Sequence, residues 1–575
     1  MLTGKMNGIS IWKKNIMAKI LIDINVLLDD FLNRDEVSKV LIDRLAESDN
    51  ELFITASMVA ILDYFLNKYR ANKSKFKRKF FSRFKVITTT GFDALKALEY
   101  KDGEDALVLL SFKRAADDGI IITNDKAFLS DGLLILTPDE ALRHSGIFNT
   151  ENDQTIPMLD LKKQYRYILE DIDDAILNAI AEAKYILGPQ VKELENKIAK
   201  YLDVKHCIGA SSGTEALVLS LRALAIKLKG QEYFDKTDEI ITTPFTFTAT
   251  GDAILRAGAT PVFVDIDPIT YNIDPAKIRE YLTLHSSVVP RHSTHVVGII
   301  PVHLYGQPCN MDKIMEIAKE YNLFVLEDVA QAFGGAWNGS TGPALSLPTG
   351  RALSLSKGSP QKLGSIGTAG TFSFFPSKNL GGFGDGGMVS TNDDELSELI
   401  RMLLKHGGKD KYNVDHIGYN ARLDTLQAAI LLAKFKYIDE FNERRRKIAE
   451  IYNRELADID GVVLPMSHEL TAMSHPPSAM SHDLHHVFHQ YTIRVLNGKR
   501  DLLQKHLKEK GIDTMIYYPV PLHKMKVFDK RCKVNGGLKE SEKAVAEVLS
   551  LPMEPLMGKE MIMHMVNAIK MFFSN

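Results

Sequence analysis

Cysteine is scarce: only Cys207, Cys309 and Cys532 occur in 575 residues. Odd in number and far apart, they form neither a disulfide framework nor a paired-cysteine metal site, and they fit a reducing, cytoplasmic setting. Net charge is scarce too. The 71 Lys and Arg against 73 Asp and Glu leave −2, so no global field draws the chain to nucleic acid or to a membrane surface. No stretch approaches the roughly 18 uncharged apolar residues that cross a bilayer, and the opening MLTGKMNGISIWKKN has no apolar signal region. With 45% hydrophobic and 25% charged residues, the composition is that of a globular chain. At about 100–200 residues per domain, its length asks for two or three domains.

Residues 1–16 read as an irregular leader before MAKILIDINVLLDDFLNR, which opens at Met17 with a buried-strand pattern. Over 17–145 the apolar strands KILIDIN, ELFITA, KVITTT and GIIITND alternate with helical stretches, as in a small parallel α/β sheet. The polar segment 146–156 reads as a linker, and a longer α/β pattern follows, divided into a large part, 157–400, and a C-terminal part, 401–575. Two stretches look like insertions. In 339–361 the run ALSL repeats at Ala344 and Ala352 amid Gly, Ser and Pro, the signature of a disordered loop. In 466–483 the triplet MSH recurs at Met466, Met473 and Met480, but Pro476 and Pro477 argue against a helix. The same region gathers His468, His475, His482, His485, His486 and His489. Imidazoles in such density invite a metal-site reading. No Cys or carboxylate is interleaved at ligand spacing, and repeat expansion accounts for the pattern by itself.

Four motifs in 157–400 carry the chemistry. In SSGTEALVLSLRAL, Ser212 and Glu215 have capping-box spacing, so a helix starts there with free N–H groups at Gly213 and Thr214. Alone this is an ordinary capped helix; after the strand HCIGA it also suits a phosphate. In DEIITTPFTFTATGDAILRAGATPVFVDID, Phe247 lies just past a strand's carboxyl end, where ligands sit in open α/β sheets. Plain core is the commoner use of such a ring, and stacking on a planar cofactor is the other. In LFVLEDVAQAFGG, Asp328 ends an apolar strand and needs a partner, either the next turn or a protonated pyridine nitrogen. In GTFSFFPSKNLGGFGDGGMV, Lys378 follows an apolar strand. A loop lysine is usually solvated, but one desolvated beside a carbonyl cofactor forms a Schiff base. The glycine run after it lacks the GxGxxG spacing of a dinucleotide site.

These residues together resemble the sugar aminotransferases of the DegT, DnrJ, EryC1 and StrS type, which have the fold of aspartate aminotransferase. IPMLDLKKQY, YILGPQVKELE, SGTEAL, TPFTFTAT, PVFVDID, PVHLYGQP, EDVAQAFG, SFFPSKNLGG, GYNARLDTLQAAIL, YYPVPLH and LSLPM all occur in order from Ile156 onward. The fold implied is α/β throughout: a small parallel-sheet domain, then a fold type I aminotransferase with a large α/β domain and a small C-terminal α+β domain. The resemblance implies pyridoxal 5'-phosphate linked to Lys378, which also moves the substrate proton, with Asp328 on the pyridinium. It implies Gln331 at the phenolic oxygen, Phe247 at the ring face, and Gly213, Thr214 and Ser373 at the phosphate. Asn420 would reach that phosphate from a partner subunit, giving a homodimer with shared sites. Arg422 would meet a substrate carboxylate, for which a guanidinium is suited, and His523 in YYPVPLH is a further substrate contact. The reaction implied is ping-pong transamination from an amino acid, glutamate foremost, to a nucleotide-linked ketosugar. A 3-keto sugar is favoured over a 4-keto one, in amino-sugar biosynthesis for a cell-surface polysaccharide or a glycosylated metabolite. Relatives that act as dehydrases replace the lysine that stands here at 378.

The first domain offers the alternative function. Asp23 ends a strand pattern, Asp102, Glu104 and Asp105 open a helix, and Asp125 follows GIIITN. Such acids cap helices and turns, or, converging at one sheet edge, hold Mg²⁺ or Mn²⁺ for attack on a phosphodiester. ILIDINVLLDDFLNR, YKDGEDALVLLSFKRA, IIITNDKAF and ILTPDEAL resemble the PIN domain of toxin-type ribonucleases. That implies a metal at Asp23, Glu104, Asp105 and Asp125, and RNA as partner. The sequence departs from the pattern where many such nucleases carry a glutamate: Ile61 stands there, with Asp63 nearby. KSKFKRKFFSRFK interleaves basic residues with Phe76, Phe80 and Phe84, whose spacing fits a core-facing helix better than a nucleic-acid contact.

Overall fold

Residues 19–22, 51–55, 84–87, 120–122, 134–137, 141, 155–286, 295–338, 360–410, 412–465 and 486–574 are described by a computed structural model. Contacts divide the chain into two units, Met1–Gln154 and Thr155–Asn575.

In the first unit, β1 (Lys19–Ile22), β2 (Glu51–Thr55), β3 (Phe84–Ile87), β4 (Ile120–Ile122) and β5 (Leu134–Leu136) form one sheet. The order is β3-β2-β1-β4-β5 and every pair is parallel. Leu21, Ile22, Ile54, Ile121 and Ile122 are buried, and runs of consecutive buried β-branched residues are what a parallel sheet covered on both faces requires. The order reverses between β1 and β4. Asp23 and Asp125 follow these two strands closely in sequence, but all the candidate metal acids, Asp23, Asp102, Glu104, Asp105 and Asp125, lie outside the described residues, as do Ile61, Asp63 and the basic-aromatic stretch.

The second unit is built on an eight-stranded sheet. Its members in chain order are β6 (His206–Ala210), β7 (Glu239–Thr242), β8 (Thr260–Phe263), β9 (Val296–Ile299), β10 (Phe324–Asp328), β13 (Ala369–Ser373), β14 (Gly387–Thr391) and β17 (Lys533–Val534). The order is β17-β8-β7-β9-β10-β13-β14-β6, with β14 antiparallel to both neighbours and the other pairs parallel. Helix Gly213–Lys229 lays Leu217, Leu221 and Leu224 into the same core as Leu326, Ala369 and Val389 of the sheet. Helix Met311–Tyr321 places Ile314 and Ile317 in a second core with Ile241, Val262 and Val325. The adjacent strand positions Val325 and Leu326 thus face opposite helix layers, following the period of two along a strand. The parallel strands deliver their carboxyl ends to one edge, where β10 ends on Asp328.

The strand pair β11 (Ala336–Trp337) and β12 (Gln361–Lys362) is an antiparallel ladder, Ala336 opposite Lys362 and Trp337 opposite Gln361. The ALSL insertion falls between its strands; residues 339–359 lie outside the described set, whereas Gln361, assigned to the insertion from sequence, is paired strand. Further along, β15 (Val462–Val463), β16 (Tyr491–Val495) and β18 (Val548–Leu551) make an antiparallel sheet packed by helices Ile438–Leu456, Arg500–Glu509 and Lys559–Ser574 around a third core. Ile156, read from sequence as the end of the linker, is buried there and bridges to Ile512. An apolar residue closing a polar run is better placed in a core than in water. No helix of the described residues is long and apolar enough to cross a membrane.

Candidate active site

Lys378 and Asp328 come from segments fifty residues apart, brought together because β10 and β13 are neighbours. Asp328 is buried, and its two oxygens are held separately: Oδ2 accepts from Thr250 Oγ1 at 2.9 Å and Oδ1 from the Ala330 N–H at 3.1 Å. Burial pushes its carboxyl up from the usual range, while those hydrogen bonds and the charge of Lys378 oppose the rise. Lys378 is half-buried. Desolvation pushes its ammonium down to about 8, and the Asp328 carboxylate resists that. The two groups therefore polarise one another, and a lysine so placed supplies free amine near neutral pH.

The sheet edge also builds an anion cradle. Ser212 caps helix Gly213–Lys229 by accepting from the Glu215 N–H at 3.1 Å, and the first helical N–H groups have no intrahelical acceptor. Ser373, at the end of β13, sits against Gly213 so closely that a Cβ there would meet the Ser373 Cβ at 2.7 Å. Glycine is thus required for this approach, and a hydroxyl and two backbone donors share one corner at the positive end of a helix dipole. Arg422 lies beside it: Ala210 bridges to Arg422, Ser211 N donates to Ala421 O at 2.9 Å, and Arg422 Nε is buried with no acceptor.

Gln331 is oriented by the backbone. Its Oε1 accepts from Tyr305 N at 2.7 Å, which turns its amide N–H groups the other way, and Nε2 donates to Tyr518 Oη at 2.8 Å. Phe247 caps helix Thr248–Arg256 and leaves its ring 55% exposed, an apolar face open at the site; its centroid is 6.1 Å from that of Tyr518. Among the described residues no contact joins Asn420 or His523 to these groups. Asn420 is exposed and bridges to Lys405, and His523 Nε2 lies 3.3 Å from Glu542 Oε1.

Several residues here carried no assignment from sequence. Thr250 stood in TFTAT, Tyr518 in YYPVPLH, and Tyr305, which donates to the Tyr517 carbonyl, in PVHLYG. The histidine series also divides. His468, His475, His482 and His485 lie outside the described residues, but His486 and His489 are buried core. His489 has an unpartnered Nδ1, and burial, then the charges of Lys378 and Arg445, hold it well below the usual imidazole value. Repeat expansion does not account for His489, whose backbone packs on Gly306. No group of three or more metal-ligating side chains occurs among the described residues.

Behind Asp328, Glu327 and His303 are both fully buried, 3.2 Å apart. Glu327 also accepts from the N–H groups of Gly364, Ile366 and Gly367 at 2.9, 2.8 and 2.7 Å. His303 Nδ1 accepts from Cys309 N at 3.0 Å, which places the ring proton on Nε2, facing Glu327.

Comparisons with known proteins bear on both units. Residues 19–127 match the PIN domain model. The chain is 43% identical over 418 residues to a pleiotropic regulatory protein of Geobacillus stearothermophilus, covering 73% of this chain and 98% of that one. It is 39% identical over 415 residues to the UDP-N-acetyl-3-dehydro-alpha-D-glucosamine 3-aminotransferase of Acidithiobacillus ferrooxidans, covering 72% and 97%. The structure of NtdA from Bacillus subtilis with bound cofactor PMP superposes with a TM-score of 0.60 at 28% identity, covering 77% of this chain and 95% of that one. Residues 166–570 match the DegT/DnrJ/EryC1/StrS aminotransferase family, and the chain belongs to that family of pyridoxal-phosphate-dependent sugar aminotransferases.

Proposed function

We propose that the Thr155–Asn575 unit transfers an amino group from an amino acid, glutamate foremost, to the 3-keto carbon of a nucleotide-linked sugar, in the cytoplasm and as a homodimer. The observation that carries this reading is the pairing of a desolvated Lys378 with a buried, doubly hydrogen-bonded Asp328. The 3-keto preference rests on the 3-aminotransferase relative of Acidithiobacillus ferrooxidans. The product would enter a cell-surface polysaccharide or a glycosylated metabolite.

The residues present fit the coenzyme. A rigid phosphate corner at Gly213, Thr214 and Ser373, an exposed ring at Phe247, an amide donor at Gln331 and a buried anion at Asp328 match its phosphate, ring face, phenolic oxygen and pyridine nitrogen. When bound, pyridoxal 5'-phosphate supplies an electron sink that makes the substrate's Cα–H acidic. The chain's part is to hold and to move protons. Burial raises the Asp328 carboxyl and the Thr250 and Ala330 hydrogen bonds oppose that rise, so the carboxylate is held in place to fix a proton on a facing ring nitrogen. Lys378 acts first as a neutral nucleophile, then carries the proton to and from the substrate carbon. Arg422 offers unsatisfied N–H to a carboxylate, Asn420 reaches the partner subunit's phosphate site, and His523 contacts the sugar substrate.

The test uses wild type and Lys378→Ala with added pyridoxal phosphate, before and after borohydride, followed by mass mapping. Reduction should fix the coenzyme on Lys378 in wild type alone, and glutamate should bleach the unreduced wild-type visible band. Fixation at another lysine, or equal fixation in both proteins, sinks the assignment. The rate of capture by the apo-protein should rise about tenfold per pH unit below about 8 and level above it, because only the neutral amine attacks. Stopped-flow absorbance measures this, and a flat profile between pH 6 and 8 contradicts a desolvated Lys378. UDP- and dTDP-linked 3-keto and 4-keto sugars, offered to the aminated enzyme, then decide the acceptor.

A further inference from the structure

Two cations are buried at the elbow between helices Thr425–Phe435 and Ile438–Leu456. Lys434 is 5% exposed and Arg445 2%, and Arg445 Nε and Nη1 reach no acceptor. Among the described residues neither is in an ion pair. Ala433, Phe441 and Leu556 share one apolar cluster with Ile430, which draws the chain around Lys434, Arg445 and Glu554 together. Glu554 is the carboxylate whose charge Arg445 feels, but it is engaged elsewhere. Its Oε2 accepts from Leu556 N at 2.9 Å and its Oε1 from Gln164 Nε2 at 3.4 Å. With both cations charged, these three side chains carry a net charge of +1, and the half-buried Lys163 adds its positive charge from the Glu554 side.

A guanidinium does not shed its proton, and an uncompensated buried cation is costly. Lys434 relieves the strain partly: burial, with Arg445 adding to it, pushes its ammonium down to about 8, which leaves it mostly charged at neutral pH. We propose that this elbow binds one small monovalent anion of the chloride class, ligated by Arg445 and Lys434. A single negative charge balances the net charge of the three residues, whereas a divalent anion would overshoot it. The apolar surroundings, including the Phe383 ring 5.8 Å from Lys434 Nζ, favour a weakly hydrated halide over a strongly hydrated oxyanion. The site is also joined to the catalytic lysine's neighbour. Asn442, one turn before Arg445, accepts from Asn379 Nδ2 at 2.8 Å, and His489 feels both Arg445 and Lys378.

The test is thermal unfolding of the full chain in sodium chloride against sodium gluconate at equal ionic strength, for wild type and Lys434→Met. Wild type should unfold about 2 °C or more higher in chloride, since an anion bound only by the folded state stabilises it. Lys434→Met should lose that difference and unfold in gluconate no lower than wild type, because the remaining Arg445 and Glu554 charges cancel. A purely structural lysine predicts the opposite sign for that variant. Equal wild-type midpoints in the two salts overturn the proposal. Should Lys434→Met fail to fold, wild-type crystals soaked in bromide decide: an anomalous peak beside the Arg445 guanidinium supports the site, and its absence overturns it.

Discussion

Asp328→Ala is expected to slow the amino half-reaction by about 10²–10³-fold, the cost of removing one preorganised electrostatic contact from a buried site. The argument runs through the carboxylate's surroundings. Thr250 Oγ1 and the Ala330 N–H hold both oxygens, so the anion cannot swing to another partner, and Lys378 feels it. Without Asp328 nothing fixes a proton on a facing ring nitrogen, and the Lys378 ammonium drops below about 8 because the charge opposing its desolvation is gone. Single-turnover bleaching with glutamate measures the first effect, and the pH profile of coenzyme capture measures the second. A rate within about threefold of wild type, with an unmoved profile, would remove Asp328 from the mechanism.

Glu327→Ala should destabilise the Thr155–Asn575 unit by about 3–5 kcal/mol, because several buried donors lose the one acceptor they share. The side chain is wholly buried and accepts from three backbone N–H groups and from His303. Alanine leaves all those donors dry and unpaired, each at a cost of about 1–3 kcal/mol before relaxation. Glu327→Gln should be milder, since its carbonyl oxygen still accepts while its amide group faces the remaining donors. Urea unfolding followed by tryptophan fluorescence and circular dichroism compares the three proteins. A loss under about 1 kcal/mol in the alanine variant would show that water enters and satisfies the cavity.

What the sequence made legible were groups whose local pattern is anomalous. A carboxylate closing an apolar strand, a lysine after another, and a capped helix start following a third each stand out within about ten residues. Tertiary partners did not stand out. Thr250 is one hydroxyl in a threonine-rich turn, and only the tertiary fold brings it to Asp328, 78 residues away. Tyr518 and Gln331 are 187 residues apart. His489 was masked differently: it follows a repeated histidine tract, so composition hid a buried position that burial alone reveals. The strands of the first unit were readable because consecutive apolar β-branched residues have little use except in a parallel sheet. Glu327 sat beside Asp328 in plain view, but its role depends on a turn nearly forty residues later.

The ladder of Ala336–Trp337 with Gln361–Lys362 bears on how this gene can change. Upstream, Trp337 Nε1 is tied to Asp312 Oδ1 at 3.0 Å; downstream, the turn at 364–367 is tied to Glu327. Each end is therefore anchored without help from whatever length of chain runs between them. Lengthening a closed loop costs only about 0.6 kcal/mol per doubling. On that cost, an added copy of a tract such as ALSL between Trp337 and Gln361 is expected to leave the ladder, and with it Lys378 and Asp328, where they are.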